Sequence, residues 1–315
     1  MFRIGIDLGG TNIVAGVVDD ASMTLLAKAN CKTALPRPAQ DIMADMATVA
    51  RQAVEAAGLT MQQIASVGIG CPGTCNGDTG VVEFSNNLQF EQVPMRAHMQ
   101  QLLGLPVFLD NDANVAALGE VTAGGARGAA SCICITLGTG VGGGIVLDGK
   151  IYGGHNFAGA ELGHTVIVKD GEQCNCGRKG CWEQYASATA LIRQTKAAMQ
   201  QHPDSLLWSF AATPEQVSGR TAFDAMRAGD TVARQVVDRY IEYIACGLVD
   251  MINIFQPEIL CIGGGICKEG ETLLAPLRAY IERERYSRYS VRQTLLTTAK
   301  LGNDAGVIGA AALHL

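Results

Sequence analysis

Each half of the chain opens with short apolar strands that are interrupted where glycines meet a threonine, and this repetition constrains the fold more than any other feature. In the first half the interruption lies at residues 9–11, and in the second half at residues 138–140. Such tight turns favour glycine, whose backbone adopts conformations that other residues avoid. The strands predicted around these turns are residues 2–8, 13–18, 24–31, 132–137 and 144–147. The repetition predicts two related α/β domains that face each other across a cleft.

Helical and strand patterns alternate through the rest of the chain. Ile42, Met46 and Val49 recur at helical spacing, and Gly58 stands where a helix commonly ends. Asp230 is a good N-cap for a long helix. The further predicted strands are 64–69, 81–84, 106–109 and 259–262, and the further predicted helices are 95–103, about 113–122, 188–201, 223–228, about 231–255 and about 305–313. These elements suggest a smaller domain of residues 1–110 with about 303–315, and a larger domain of residues 111–302.

Length and charge limit the class of protein. The chain has 315 residues and a net charge of −6, which argues against a nucleic-acid binder with a basic surface. Residues 129–147 carry no charge, but their glycines favour two strands over a helix that spans a membrane. The N-terminus lacks the pattern of a signal peptide. Together with eleven cysteines outside any small disulfide-rich scaffold, this predicts a cytoplasmic protein.

Three glycine turns are candidates for binding phosphate, since glycine lets phosphate oxygens approach backbone N–H groups. They lie at residues 9–11, 138–140 and 263–265, each after a predicted strand. A single glycine turn is more often an ordinary hairpin, but three of them favour phosphate binding. Gly138, Gly140 and Gly143 formally match a dinucleotide fingerprint, which requires a helix at its end. A strand is predicted there instead, and no glycine run has the Walker sequence, so neither of those sites is expected.

Four potential metal ligands lie within eighteen residues: His164, Cys174, Cys176 and Cys181. Short cysteine spacings with intervening glycines let thiolates converge on one tetrahedral ion. Three cysteines and one histidine leave no open position, which suits structural rather than catalytic zinc. The alternatives are unpaired thiols, or one disulfide with a third cysteine beside it.

Several carboxylates could act on a hydroxylated substrate. Asp112 follows a predicted strand, where an open α/β sheet places ligand-binding residues, and it could accept a proton from an attacking hydroxyl. It could equally be the N-cap of the next helix, and residue types alone leave the two readings open. Glu161 and Glu183 flank the metal motif, and each on its own is more often a solvated carboxylate. Asn87 could be a turn residue or could bind a hydroxyl.

These motifs together resemble the ROK family of repressors, open reading frames and kinases, closest in pattern to its bacterial glucokinases. The similarity covers essentially the whole chain, and the Glu-x-Gly-His motif with the cysteine cluster is its most specific part. The matching segments are Asp7-Leu8-Gly9-Gly10-Thr11-Asn12, Asn111-Asp112-Ala113-Asn114, Leu137-Gly138-Thr139-Gly140-Val141-Gly142-Gly143-Gly144, Glu161-Leu162-Gly163-His164, Cys174 to Cys181 with Trp182-Glu183, and Gly263-Gly264-Gly265.

The resemblance implies a two-domain hexokinase/actin-like fold of the ribonuclease H-like type, with a central cleft that closes over ATP and a sugar. It implies that Asp112 is the general base on the sugar 6-hydroxyl and that Asp7 helps to position Mg²⁺. The residues implied to bind the sugar are Gly73, Asn87, Asn111, Asp112, Glu161, His164 and Glu183. The residues implied to bind the nucleotide are Asp7, Gly9, Gly10, Thr11, Asn12, Gly138, Thr139, Gly140, Gly263, Gly264 and Gly265.

The expected activity is transfer of the γ-phosphate of ATP to the 6-hydroxyl of a hexose, with glucose as the first choice. Fructose, mannose, allose and N-acetylmannosamine are the alternative sugars, and polyphosphate is an alternative donor. A sugar-responsive repressor would need a helix-turn-helix ahead of the first glycine turn, and an actin-like ATPase would leave the sugar-binding residues unexplained. The family also implies a homodimer or homotetramer. The net charge of −6 and the lack of a spanning segment predict no nucleic-acid or membrane partner.

Overall fold

The structure is a computed structural model that describes all residues, 1–315. Its strands are β1 (Phe2–Leu8), β2 (Asn12–Asp19), β3 (Thr24–Lys32), β4 (Ile64–Cys71), β5 (Thr74–Asn76), β6 (Val81–Ser85), β7 (Phe90–Val93), β8 (Val107–Asn111), β9 (Cys132–Leu137), β10 (Val141–Leu147), β11 (Lys150–Ile151), β12 (Ile259–Gly263) and β13 (Leu295–Thr298). Its α-helices are α1 (Ala39–Ala56), α2 (Met95–Leu103), α3 (Asp112–Ala123), α4 (Glu183–Ala186), α5 (Ala188–Gln201), α6 (Leu207–Phe210), α7 (Thr221–Arg227), α8 (Thr231–Phe255), α9 (Glu271–Glu284) and α10 (Ala305–Ala311).

The two main sheets have the same strand order. One is ordered β3-β2-β1-β4-β8 and the other β11-β10-β9-β12-β13. In the first sheet β1 pairs antiparallel with β2 and parallel with β4, which pairs parallel with β8. In the second, β10 pairs antiparallel with β11, and β12 parallel with β13. The repetition predicted from the sequence is therefore confirmed in the order of the strands.

The chain packs as two compact units. The first consists of Met1–Cys134, Gly144–Ala160 and Ala299–Leu315, and the second of Ile135–Gly143 and Glu161–Thr298. The domain boundaries predicted from the sequence, after residue 110 and near residue 302, stay a prediction. No helix is both long enough and apolar enough to cross a bilayer.

Helix α10 is fully buried in the first unit because two strand glycines let it approach closely. A Cβ atom on Gly5 of β1 would lie 1.8 Å from the carbonyl oxygen of Val307, and one on Gly68 of β4 would lie 1.7 Å from that of Ala310. Real Cβ atoms do not come so close to backbone atoms. Any side chain at either position would therefore push α10 off the sheet.

Most predicted elements are present with small shifts of their ends. Strand β9 and helix α5 match the predicted bounds, and the Asp230 side chain accepts a hydrogen bond from the Ala233 N–H at 2.6 Å as the predicted N-cap of α8. The closing helix ends at Ala311 rather than near residue 313, and β10 begins at Val141 rather than at residue 144.

Several elements were not predicted from the sequence. Helix α9 contains Pro276 and is rich in charge, yet it buries Leu273, Leu277 and Ile281 at four-residue spacing, which was the available signal. The edge strand β13 was also not predicted. In the small sheet of β5, β6 and β7, only β6 was predicted. Their short, half-exposed segments carry little periodic signal.

Candidate active site and metal centre

The junction of β8 and α3 carries the candidate base. Asn111 is the N-cap of α3: its side-chain oxygen accepts from the Ala113 N–H at 2.9 Å and the Asn114 N–H at 3.3 Å. Asp112 is the first helical residue, and its Oδ1 accepts from the Ala113 N–H at 2.9 Å. The N-cap reading of Asp112 is therefore wrong, because Asn111 occupies that position.

The same junction is fixed by a second pair of side chains. Asp110 Oδ1 accepts from the Asn111 N–H at 2.7 Å and from Asn114 Nδ2 at 2.9 Å. The Asn111 amide group donates to the Gly73 carbonyl at 3.1 Å. The hydrogen bond between Asp110 and Asn114 thus connects the end of β8 to the first turn of α3. Sequence reasoning gave neither residue a role, although Asn114 lies in one of the motif segments.

Asp7 lies in the same unit, and the negative charge of Asp112 affects its pKa. Burial, with a smaller contribution from Asp112, raises the pKa of Asp7 to about 6, and burial also raises the pKa of Asp112 and of Asp110. A Cβ atom on Gly306 would lie 2.6 Å from Asp7 Oδ2, so this glycine of α10 makes room for the carboxylate. We call Asp7, Asp110, Asn111 and Asp112 the acidic corner.

The first glycine turn lies in this unit beside Asn87. The Gly9 N–H donates to the Asn12 carbonyl at 2.9 Å, and the Thr33 hydroxyl donates to the Gly9 carbonyl at 2.6 Å. A Cβ atom on Gly10 would lie 3.9 Å from the Asn87 carbonyl oxygen. The structure therefore brings Gly10 close to Asn87.

Gly73 lies against the strand that leads to Asn87, and it has no room for a side chain. Its φ is +110°, and a Cβ atom there would lie 2.2 Å from the Phe84 carbonyl oxygen. Because Gly73 also accepts from Asn111, it joins that strand to the acidic corner. In the first unit, four of the predicted sugar-binding residues, Gly73, Asn87, Asn111 and Asp112, lie near Asp7 or the first glycine turn.

The second glycine turn belongs to the second unit and is held from α4 and α5. The Gly138 carbonyl accepts from the Ala188 N–H at 2.8 Å, and the Thr139 carbonyl accepts from the Thr189 hydroxyl at 2.8 Å. Glu183 Oε2 accepts from the Val141 N–H at 3.0 Å. Strand β10 follows this turn directly, so the prediction that a strand and not a helix follows these glycines is confirmed.

The third glycine turn lies at the end of β12 and packs on the second. Gly264 has a φ of +103°, and a Cβ atom there would lie 2.1 Å from the Leu137 carbonyl oxygen. The 3₁₀ segment Gly265–Glu269 follows. A cavity of about 650 Å³ lies here, and its lining includes Gly138, Thr139, Gly265, Arg220, Arg227, Lys268 and Glu269. Two of the three glycine turns thus border one cavity.

The four predicted metal ligands meet in the second unit. The ligand atoms of His164, Cys174, Cys176 and Cys181 all lie within 4.8 Å of one another. Cys174 Sγ is 3.6 Å from His164 Nδ1, and the sulfurs of Cys176 and Cys181 are also 3.6 Å apart. All eleven cysteines are free thiols, so the disulfide alternative is not observed. We call these four residues the thiol cluster.

The spacing and chemistry of the thiol cluster fit zinc. Ligand atoms at Zn–S and Zn–N bond lengths in a tetrahedron are separated by roughly 3.5–3.8 Å, close to the contacts found. Burial, followed by the other two thiols, raises the pKa of Cys181 to about 12, whereas the Arg178 N–H is the main cause of a lowered pKa at Cys176.

A buried tryptophan links the thiol cluster to Glu183. Trp182 is 0% exposed, and its indole N–H donates to the Tyr243 carbonyl at 2.8 Å. Gly247 of α8 makes the space, since a Cβ atom there would lie 2.2 Å from the indole ring. Glu183 is the next residue and the first of α4, so the buried Trp182 fixes the position of its backbone. Neither Gly247 nor the role of Trp182 was recognised from the sequence.

Glu161 directly precedes the short 3₁₀ turn Leu162–His164. Its side chain is exposed, and its carbonyl accepts from the His164 N–H at 3.1 Å. The expectation that its carboxylate faces the same way as the His164 ring stays a prediction.

Comparisons with known proteins agree with the motifs. A model described as the ROK family matches residues 3–315. A glucokinase of Streptomyces coelicolor is 39% identical over 321 residues, covering 98% of this chain and 96% of the relative. A glucokinase of Thermotoga maritima is 37% identical over 315 residues, with the same coverage of 98% and 96%.

A solved structure is similar over nearly the whole chain. It is a ROK family glucokinase from Streptomyces griseus in complex with glucose and AMPPNP, with a TM-score of 0.79, 36% identity, and 99% of each chain covered. This similarity confirms the predicted two-domain α/β fold of the hexokinase and actin type. With a family match along almost its full length, the chain belongs to the ROK family.

Proposed function

We propose that this protein is a glucokinase that transfers the γ-phosphate of ATP to the 6-hydroxyl of glucose. The observation that carries the proposal is the similarity, along 99% of the chain, to a ROK glucokinase bound to glucose and AMPPNP. The geometry within each unit supports it. Phosphoryl transfer requires positioning and charge stabilisation more than covalent chemistry, and glycine turns beside buried carboxylates supply both.

Asp112 is the proposed general base on the 6-hydroxyl. It is the first residue of α3, where Asn111 already provides the cap, so its carboxylate is not needed to start the helix. Burial raises its pKa, which brings it closer to the operating pH and makes it a better proton acceptor. The Asp110–Asn114 hydrogen bond holds the backbone that carries it.

The proposed nucleotide-binding residues are the three glycine turns. In the first unit these are Gly9, Gly10, Thr11 and Asn12, and in the second unit they are Gly138, Thr139, Gly140, Gly263, Gly264 and Gly265. Asp7 would help to hold Mg²⁺, since magnesium prefers carboxylate oxygen and water ligands. When bound, Mg²⁺ would neutralise charge on the phosphates.

We further propose that the thiol cluster holds a structural zinc ion. The convergence of one nitrogen and three sulfur atoms within 4.8 Å of one another supports this assignment. Because Cys174 is nearest to Nδ1 of His164, the ring would be oriented through that nitrogen and would present Nε2 to a sugar hydroxyl. Glu161 and Glu183 are the other proposed hydroxyl-binding residues of this unit, and Gly73, Asn87 and Asn111 those of the first.

A coupled assay of ADP release with purified protein tests the proposal. We expect turnover with glucose to exceed that with mannose, fructose, allose, N-acetylmannosamine or no sugar. Equal rates with and without sugar would overturn it in favour of an ATPase, and a higher rate with another hexose would change the assigned substrate. Replacing ATP with polyphosphate tests the donor. A cytoplasmic location and a homodimer or homotetramer are part of the proposal, and light scattering measures the latter.

A further inference from the structure

An ion pair in the second unit joins two of the segments that line its cavity. Arg227 is the last residue of α7, and Glu269 is the last residue of the 3₁₀ segment after the third glycine turn. Both line the cavity of about 650 Å³ that also touches Gly138 and Thr139. Arg227 Nη1 lies 2.5 Å from Glu269 Oε2.

The burial of the Glu269 carboxylate distinguishes this pair from an ordinary surface contact. The Glu269 side chain is 8% exposed, whereas that of Arg227 is 43% exposed. Exposed ion pairs contribute little, but removing the partner of a nearly buried carboxylate is costly. Arg227 also donates to Asp224 within α7, which restricts the guanidinium further. The pair is therefore a defined connection between α7 and the 3₁₀ segment.

The two segments that the ion pair joins are held by different parts of the second unit. Gly265–Glu269 continues from β12, where Gly264 packs against the Leu137 carbonyl at the start of the second glycine turn. Helix α7 packs against α8 and α6 instead. The separation of these two lining segments thus depends on contacts such as this ion pair.

We propose that the Arg227–Glu269 ion pair sets the width of this cavity for the nucleoside end of the phosphoryl donor. This rests on the proposed function, which assigns the phosphates of ATP to Gly138 and Thr139. A planar base is held best when atoms lie about 3.5–4 Å from its faces, so a small separation of the walls weakens its binding. Arg227 and Glu269 are positioning residues in this proposal, and neither takes part in the transfer.

A double-mutant cycle tests this proposal by direct binding of ADP in the absence of sugar, measured by isothermal titration calorimetry. We expect R227M and E269Q each to weaken ADP binding about tenfold, and the double variant to be no weaker than either, because both remove one connection. R227K should retain most of the affinity. In the kinase assay, KM for ATP should rise while KM for glucose and kcat stay within about twofold.

Arg278 and Glu271 provide the matched control. They form an ion pair of 2.7 Å on α9 with side chains 48% and 69% exposed, and neither residue lines the cavity. R278M should leave ADP binding and both KM values unchanged, and thermal melts of all variants report whether each remains folded.

Two results would overturn the proposal. If R227M weakens ADP binding and E269Q does not, Arg227 contacts the nucleotide directly. If neither substitution changes ADP affinity in folded protein, the pair has no role in binding. Because ADP binding is measured without sugar, these results are distinguishable from failure of the proposed function, which would appear as absent glucose turnover with the ADP effects intact.

Discussion

The acidic corner and the thiol cluster are both built from groups that need a partner, but they obtain it differently. In the acidic corner, Asn111 and Asp110 accept hydrogen bonds from the surrounding backbone, and Asn114 donates to Asp110. In the thiol cluster, three sulfurs and a ring nitrogen face one another within 4.8 Å. Within the chain, Asp110, Asn111 and Asn114 satisfy one another and the backbone in the first arrangement, whereas a zinc ion is the partner that we propose for the second. The corner should therefore respond to substitution and pH, and the cluster to metal.

The largest expected effect is at the candidate base. D112A should lower kcat by about a thousandfold or more while KM for glucose changes by less than about threefold, because proton acceptance is lost and binding remains. Steady-state kinetics and glucose binding by calorimetry measure the two effects. N114A is the companion variant, which weakens the support of the corner and should lower kcat by only about tenfold. Near-normal turnover by D112A would contradict the base assignment.

Metal removal should have the next largest effect. It should change mainly KM for glucose, whereas D112A should change mainly kcat. Dialysis against a zinc chelator, or the substitution C176S, should raise KM for glucose about tenfold to a hundredfold, because His164 and Glu183 lose their fixed positions. Elemental analysis should find one zinc per chain before treatment. C246S alters a half-buried cysteine outside the cluster and should change neither zinc content nor KM. A metal-free protein with unchanged KM would separate the cluster from sugar binding.

Asp7 offers a test in which activity and stability move apart. Its pKa of about 6 in the folded protein lies above the ordinary value of 3.8, so the ionised carboxylate destabilises the fold. This destabilisation is absent below pH 3.8, grows between pH 3.8 and 6, and is complete above pH 6. At pH 7.5, D7N should raise the free energy of unfolding by about 2–3 kcal/mol and abolish turnover. At pH 4 the gain should nearly vanish. Urea denaturation at both pH values measures it, and a gain independent of pH would contradict the assigned cause.

The smallest expected effects are at two glycines in the loop of the thiol cluster. Comparing them distinguishes backbone strain at positive φ from steric collision of an added side chain. Gly177 and Gly180 both have positive φ, at +90° and +80°. A Cβ atom on Gly180 would also lie 1.7 Å from the Val168 carbonyl oxygen, whereas nothing lies within 4 Å of one on Gly177. G177A should lower the free energy of unfolding by about 1 kcal/mol and keep zinc. G180A should cost more and lose zinc, and equal effects in thermal melts and zinc titration would show that collision is unimportant.

The sequence predicted the acidic corner less completely than the thiol cluster. Cys174, Cys176 and Cys181 are close in the chain, so their spacing alone indicated a common site, and the structure brings them together with His164. The support of Asp112 depends on Asp110 and Asn114, whose side-chain contact follows from the exact geometry of the strand and helix junction. Spacing could not distinguish Asn111 from Asp112 as the N-cap.

The fold shows a similar division. Strands beside glycine turns and helices with long periodic faces were predicted, whereas α9 and β13 were not. Gly247 and Trp182 illustrate the reason: they lie far apart in sequence, and only tertiary packing shows that one makes room for the other. The link between Arg227 and Glu269 is of the same kind.

The close packing of α10 on Gly5 and Gly68 has a consequence for biosynthesis. Strand β1 is translated long before α10, the helix that covers it, because nearly the whole described chain lies between them. At ordinary translation rates this delay is on the order of tens of seconds. During that interval the face of the sheet that α10 later covers stays exposed in the nascent chain.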